Sequence, residues 1–149
     1  MLDFNYYFRV RYGECDMQSV VFNARYGDYV DITMTEYFRA FYGGFETLIQ
    51  QGYDTQVVNL NISWKSSGRF DDVIRARVQV LKVGNTSFTC QVELTHQATN
   101  RLIANADITY VCVDAKTFAK TSIPQSLRDA FSNNGGTISI NHAGDLAQN

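Results

Sequence analysis

Proline occurs once, at Pro124, and cysteine only three times in 149 residues. Cys15, Cys90 and Cys112 are odd in number, widely spaced and form no C-x-x-C pair, which argues against a disulfide framework or a structural zinc site. The two histidines, His96 and His142, stand at no ligand spacing to anything, so no metal is expected. No apolar run reaches the length of a membrane-spanning helix. A formal charge of -2 gives no electrostatic reason to expect nucleic acid. The N-terminus reads straight into a strand pattern, without the basic region, apolar core and cleavage site of a secretory leader. Together with the unpaired cysteines, this points to a reducing cytoplasm.

What the chain has is hydrophobic pattern. Hydrophobic residues make up 45% and charged ones 19%, as in a folded single domain with its own core. Phe4, Tyr6, Phe8, Val10 and Tyr12 alternate with Asn5, Tyr7, Arg9 and Arg11, the period of a half-buried strand. Tyr26, Val30, Met34, Tyr37 and Phe41 then fall at helical spacing, joined by Tyr29, Ile32 and Phe38. The spacing predicts a deeply buried helix from about Ala24 to Phe41, stopped by Gly43-Gly44. A short helical piece from Phe45 to Gln51 follows. Strands are predicted around Val58–Trp64, Val73–Val83, Phe88–Leu94 and Leu102–Cys112, the last three spaced as an antiparallel meander. A short helix opens at Ile123-Pro124, and residues 132–149 read as a flexible polar tail after a single domain at 1–131.

One helix cannot cover both faces of a five-stranded sheet, but an antiparallel five-stranded sheet can wrap round one long central helix. That is the hotdog arrangement, an α+β fold. It leaves strand edges open, so self-association is expected.

The chemistry is sought in the turn between the first strand and the long helix, Tyr12-Gly13-Glu14-Cys15-Asp16. The first N–H groups of a helix lack internal partners and carry about half a positive charge. A thioester carbonyl held there would be polarised, and Asp16 could attack it or activate a water. The same residues also allow a plainer reading, in which Glu14 and Asp16 solvate or cap the turn and Asn23 is an ordinary helix cap.

The run Val10-Arg11-Tyr12-Gly13-Glu14-Cys15-Asp16, followed by Val20-Val21-Phe22-Asn23-Ala24-Arg25-Tyr26, resembles the signature of the 4-hydroxybenzoyl-CoA thioesterase family. The resemblance extends over about Phe4 to Phe131 through Ser63-Trp64, Arg69-Phe70-Asp71-Asp72, Asn85-Thr86-Ser87-Phe88 and Ile123-Pro124. It implies an acyl-CoA thioesterase of the hotdog fold, without cofactor, working as a homodimer or dimer of dimers. Asp16 matches the catalytic carboxylate, as nucleophile or general base, and Asn23 the backbone N–H that polarises the carbonyl. Tyr12 and Tyr26 match family aromatics that line or support the site, and Val21, Phe22, Trp64, Thr86 and Ser87 are taken with them as substrate-binding, with core or interface packing as the plainer reading of Trp64. No nucleic acid or membrane partner is implied.

Several positions depart from the family pattern. Ser19 replaces a common glycine, Met17-Gln18 replaces smaller residues, and Ser67 replaces a frequent proline. The basic residues that some members set against CoA phosphates near Asn85-Thr86 are absent, with Lys65, Arg69 and Lys82 as substitutes. Acyl-carrier-protein thioesters and a non-catalytic acyl-thioester binding protein are therefore kept as alternatives. A hydratase is disfavoured, because no histidine lies between Met1 and Thr95.

Overall fold

A computed structural model describes residues 1–133 and 135–146. Strand β1 (Asp3–Arg9) leads through a 3-10 turn at Tyr12–Glu14 to helix α1 (Arg25–Tyr42) and the short α2 (Phe45–Gln50). Strands β2 (Tyr53–Trp64), β3 (Val73–Val83), β4 (Ser87–His96) and β5 (Leu102–Asp114) follow, then α3 (Gln125–Asn133) and β6 (Thr137–Asn141).

Helix α1 buries Tyr26, Tyr29, Val30, Thr33, Met34, Tyr37 and Phe38, the face that the i, i+3, i+4 spacing prescribes. It ends where Gly43 turns left-handed at φ 84° and the Gly44 N–H closes onto the Phe38 carbonyl at 3.0 Å. The helix packs on one face of the sheet, lined by Phe4, Tyr6, Phe88, Cys90, Leu94, Ile108 and Tyr110. Ring contacts of Tyr37 with Phe4 at 5.4 Å and of Phe38 with Phe88 at 5.8 Å join the two layers.

The sheet has six strands, ordered β2-β5-β4-β3-β1-β6. All neighbours are antiparallel except β1 and β6, which run parallel from Asp3↔Thr137 to Tyr7↔Asn141. This corrects the expected five-stranded antiparallel sheet. The sixth strand comes from the stretch read as a flexible tail, where Ile138 and Ile140 alternate with polar residues and complete the free side of β1. Five alternating residues are too short a run to separate from a loop; what makes them a strand is the unpaired edge of a distant segment. Residues 147–149 of that tail lie outside the described residues.

At the other edge, β2 pairs among the described residues only with β5 and leaves Val57, Val58, Leu60 and Trp64 substantially exposed. A bulge between Val57 and Asn59 shifts its register.

Candidate functional site

The turn before α1 is built by local hydrogen bonds. The Asp16 N–H donates to the Val20 carbonyl at 2.9 Å, and the Ser19 N–H returns to the Asp16 carbonyl at 3.0 Å. Closing so tight a loop requires a left-handed residue, and Ser19 takes it at φ 61°. A serine there carries the strain that glycine would avoid, so the departure at this position keeps the turn without relaxing it. The Gln18 N–H donates to Asp16 Oδ1 at 2.8 Å, which fixes the carboxylate of a residue that lines the cavity.

The rest of the segment is tied to the body of the molecule. Val21 N–H donates to the Gly68 carbonyl at 2.8 Å, and Phe22 N–H to the Glu14 carbonyl at 2.9 Å. Helix α1 then begins at Arg25, with Ala24 as a cap residue that makes no side-chain bond. Asn23 is thus not the side-chain cap that its residue type suggests. Its carbonyl accepts the Tyr26 N–H at 3.3 Å, while the N–H groups of Asn23 and Ala24 have no acceptor among the described residues. Two open donors at a helix N-terminus are a ready site for a carbonyl oxygen or an oxyanion.

Asp16 and Asn23 line one cavity of about 180 Å³, together with Val21, Tyr26 and Trp64. Tyr26 and Trp64 meet edge to face at 6.1 Å, and the Tyr26 hydroxyl accepts the Gly68 N–H at 3.2 Å. Burial pushes the Tyr26 hydroxyl above its ordinary value, so it stays neutral. Next to Asp16, the Cys15 thiol is likewise raised, by burial first and then by the carboxylates of Glu14, Asp16 and Asp72. Raised rather than lowered, it is a poor nucleophile at neutral pH.

Of the nine site residues read from the sequence, the cavity gathers Asp16, Val21, Asn23, Tyr26 and Trp64. Tyr12 is turned to solvent with its ring against Phe70 at 5.9 Å, and Phe22 is also exposed outside the cavity. Thr86 and Ser87 belong to the far end of the sheet. Trp64 pairs with Ala104, whereas Ser87 pairs with Val111, seven residues further along β5, or about 23 Å at ~3.3 Å per residue. Lys65 and Arg69 flank the Trp64–Gly68 rim, while Lys82 shares the distant end by pairing with Thr89.

The residues that sequence reasoning did not place are Glu14, Gly68, Ser66 and Ser67. Ser66 and Ser67 line the same cavity as Asn23. Glu14 is buried and holds the turn from beneath: Oε1 accepts the Arg11 N–H at 2.8 Å and the Tyr29 hydroxyl at 3.0 Å. Oε2 takes the Arg11 guanidinium at 3.1 and 3.2 Å. Burial and this carboxylate push the Tyr29 hydroxyl upward, which keeps it a donor. The signal for Glu14 was Arg11 three residues earlier in a turn; its burial depends on Tyr29, on another element.

The chain is 26% identical over 134 residues to the acyl-CoA thioesterase YbgC of Haemophilus influenzae, covering 88% of this chain and 97% of that one. It is 24% identical over 123 residues to the acyl-CoA thioester hydrolase YbgC of Escherichia coli, covering 83% and 91%. Among solved structures, the DHNA-CoA thioesterase of Staphylococcus aureus superposes with a TM-score of 0.81 at 18% identity, over 94% of this chain and 99% of that one. The 1,4-dihydroxy-2-naphthoyl-CoA thioesterase of Synechocystis gives 0.79 at 17% identity, over 88% and 96%. These likenesses carry the fold, a hotdog α+β domain with a mixed six-stranded sheet. A sequence model of the Thioesterase-like superfamily matches residues 10–131, from the end of β1 through the Asp16 turn and every strand from β2 to β5 into α3. On that match, the chain belongs to the Thioesterase-like superfamily.

Proposed function

We propose that this protein hydrolyses the thioester bond of a fatty or aromatic acyl-CoA at the Asp16 cavity. The observation that carries the reading is that Asp16 and Asn23, whose N–H has no acceptor among the described residues, line a single small cavity just before the N-terminus of α1. The carbonyl oxygen sits on the Asn23 N–H, and the helix end stabilises negative charge as it develops there. In one route Asp16 Oδ2 attacks the carbonyl carbon, the thiolate leaves and takes up a proton, and water cleaves the mixed anhydride. In the other, Asp16 takes a proton from water as that water attacks, and the thiol leaves with a proton returned from Asp16. Both end in a free carboxylic acid and a free thiol. The names of the YbgC relatives and of the aryl-CoA thioesterases with the same fold support this substrate class.

Self-association through β2 belongs to the same reading. Its long, apolar edge fits a second copy of itself run antiparallel. Such pairing brings the Tyr53 end of one β2 towards the Trp64 end of the other. It also gives Thr86 and Ser87 a use, since that end of the sheet would approach the partner's Asp16 cavity.

The test is free-thiol release from a panel of short, long and aromatic acyl-CoAs, with wild type and Asp16→Asn in parallel. Turnover by wild type and a loss of about 10²-fold or more in the variant are expected. Equal rates would remove Asp16 from the mechanism. No turnover on any acyl-CoA, with binding retained, would favour acyl-carrier-protein thioesters or a binding protein.

A further inference from the structure

A second cavity, roomier than the one at Asp16, measures about 440 Å³ and is lined by Arg11 and Glu14 of the same turn. One wall is β1, where Tyr6 and Phe8 stack at 5.5 Å; the other is α1, where Tyr29 sits 4.6 Å from Phe8 and Ile32 closes the aromatic run. The C-terminal segment supplies a third wall through His142 and Ala143. That wall is held: Arg9 donates to the carbonyls of Ala143 at 3.1 Å, Asp145 at 3.2 Å and Asp71 at 2.9 Å. His142 Nδ1 lies 3.2 Å from the Tyr6 hydroxyl, with the two rings edge to face.

The two cavities are separate. Tyr26 lines one and Tyr29 the other, and the two rings pack edge to face at 5.6 Å between them. The Asp16 cavity includes Trp64 of β2, whereas this one is bounded by β1 and the segment after β6, at the other end of the sheet order. Pairing of copies along β2 therefore leaves it open.

It is of ordinary size for a small-molecule pocket, and its lining divides between rings and apolar groups on one hand and Arg9, Arg11, Glu14 and His142 on the other. Charge selects the sign of the ligand. Two arginines and one glutamate line the cavity, and both oxygens of Glu14 are already occupied by donors. Arg11 gives Nε and Nη2 to Glu14, while its Nη1 makes no hydrogen bond among the described residues, on a side chain that is 76% exposed. What the mouth offers is a guanidinium donor above a stack of rings, suited to a carboxylate on a flat apolar body. An ammonium ligand would meet two guanidinium groups and no open acceptor on Glu14.

We propose that this cavity is a second binding site, for a small aromatic carboxylate whose ring packs on Phe8 and Ile32, over the buried edges of Tyr6 and Tyr29, and whose carboxylate meets Arg11. The site does not depend on the chemistry at Asp16. A free aryl acid is also the product of aryl-thioester hydrolysis, so the test must tell the two cavities apart.

The probe is sodium 2-naphthoate, titrated into the full chain by calorimetry and by amide chemical shifts. Saturable binding is expected, with shifts centred on Glu14, Tyr29, Ile32 and His142, and affinity unchanged in Asp16→Asn. Ile32→Trp, which fills the cavity from an exposed helix position, should weaken binding at least tenfold. Arg11→Gln should do the same, and needs no space-filling assumption. The neutral analogue 2-naphthylmethanol should bind at least tenfold more weakly than the acid. Shifts confined to Asn23, Tyr26 and Trp64, equal affinity for acid and alcohol, or no saturable binding would each overturn the proposal.

Discussion

Replacing Glu14 tests whether the turn that carries Asp16 is held from beneath. The two oxygens of this carboxylate have different duties. Oε1 satisfies the Arg11 N–H and the buried Tyr29 hydroxyl, and Oε2 faces only the Arg11 guanidinium. Because the Arg11 side chain is mostly exposed, that ion pair is screened and contributes little. Glu14→Gln can keep its amide oxygen at the Oε1 position and so both Oε1 partners; its NH2 cannot accept from the Arg11 guanidinium, whose exposed side chain turns to water, and the cost is about 1 kcal/mol. Glu14→Ala removes both Oε1 bonds and orphans a buried hydroxyl, at about 3 kcal/mol or slightly more. For a chain of this size each kcal/mol is worth about 3 °C in Tm, so the expected losses are about 3 °C and about 9 °C. Differential scanning calorimetry reads both. Equal losses in the two variants, or a harmless alanine, would refute the division of labour between the two oxygens. Adding Tyr29→Phe completes a double-mutant cycle: coupled to Glu14, it should cost markedly less in the alanine background than in wild type.

Three further outcomes follow from the same contacts. Native alkylation by iodoacetamide at pH 7.5 should spare Cys90, whose buried thiol is pushed up to about 12, and reach Cys15 only slowly. Since the Asp16 carboxylate is one of the charges raising the Cys15 thiol, Asp16→Asn should lower that pKa and speed labelling, as peptide mass spectrometry would show; an unchanged rate would mean that the two side chains do not sense each other. A Cβ at Gly68 would stand 3.3 Å from Val21 Cγ2 and 3.4 Å from Ile74 Cδ1, so Gly68→Ala should cost about 1 kcal/mol and lower Tm by about 3 °C, with shifts at Val21 and Tyr26 in amide spectra. On the β2 edge, Leu60→Lys should leave the fold intact and reduce the mass seen by light scattering to one chain; an unchanged oligomer would place the interface elsewhere.

Much of this architecture is written locally. The spacing of Tyr26, Val30, Met34 and Tyr37 marks α1 to within a residue at each end, because each buried position repeats on one face. The β3–β5 meander follows likewise from alternating residues and short turns. Asp16, Asn23 and Tyr26 are legible as one cluster because a single turn holds them. What was not legible depends on distant partners. Ile138 and Ile140 form a strand only because β1 has a free side, and Glu14 is buried only because Tyr29 reaches it from α1. Thr86 and Ser87 carry a local resemblance, but a sequence motif has no address on the sheet until β5 fixes which end it occupies.

The two rims of the sheet are unlike in a way that governs growth. One is the twelve-residue β2 with its row of apolar side chains; the other is the five-residue β6, whose outward positions Thr137, Ser139 and Asn141 are polar. Head-to-tail stacking of copies would need both rims to be receptive and would run on without end as a fibre. With a long greasy rim on one side and a short wet one on the other, the favourable match is like with like, which consumes its own template in a single event. On the proposed β2 pairing, the sheet stops its own extension, and the strand drawn from the C-terminal stretch is the stopper.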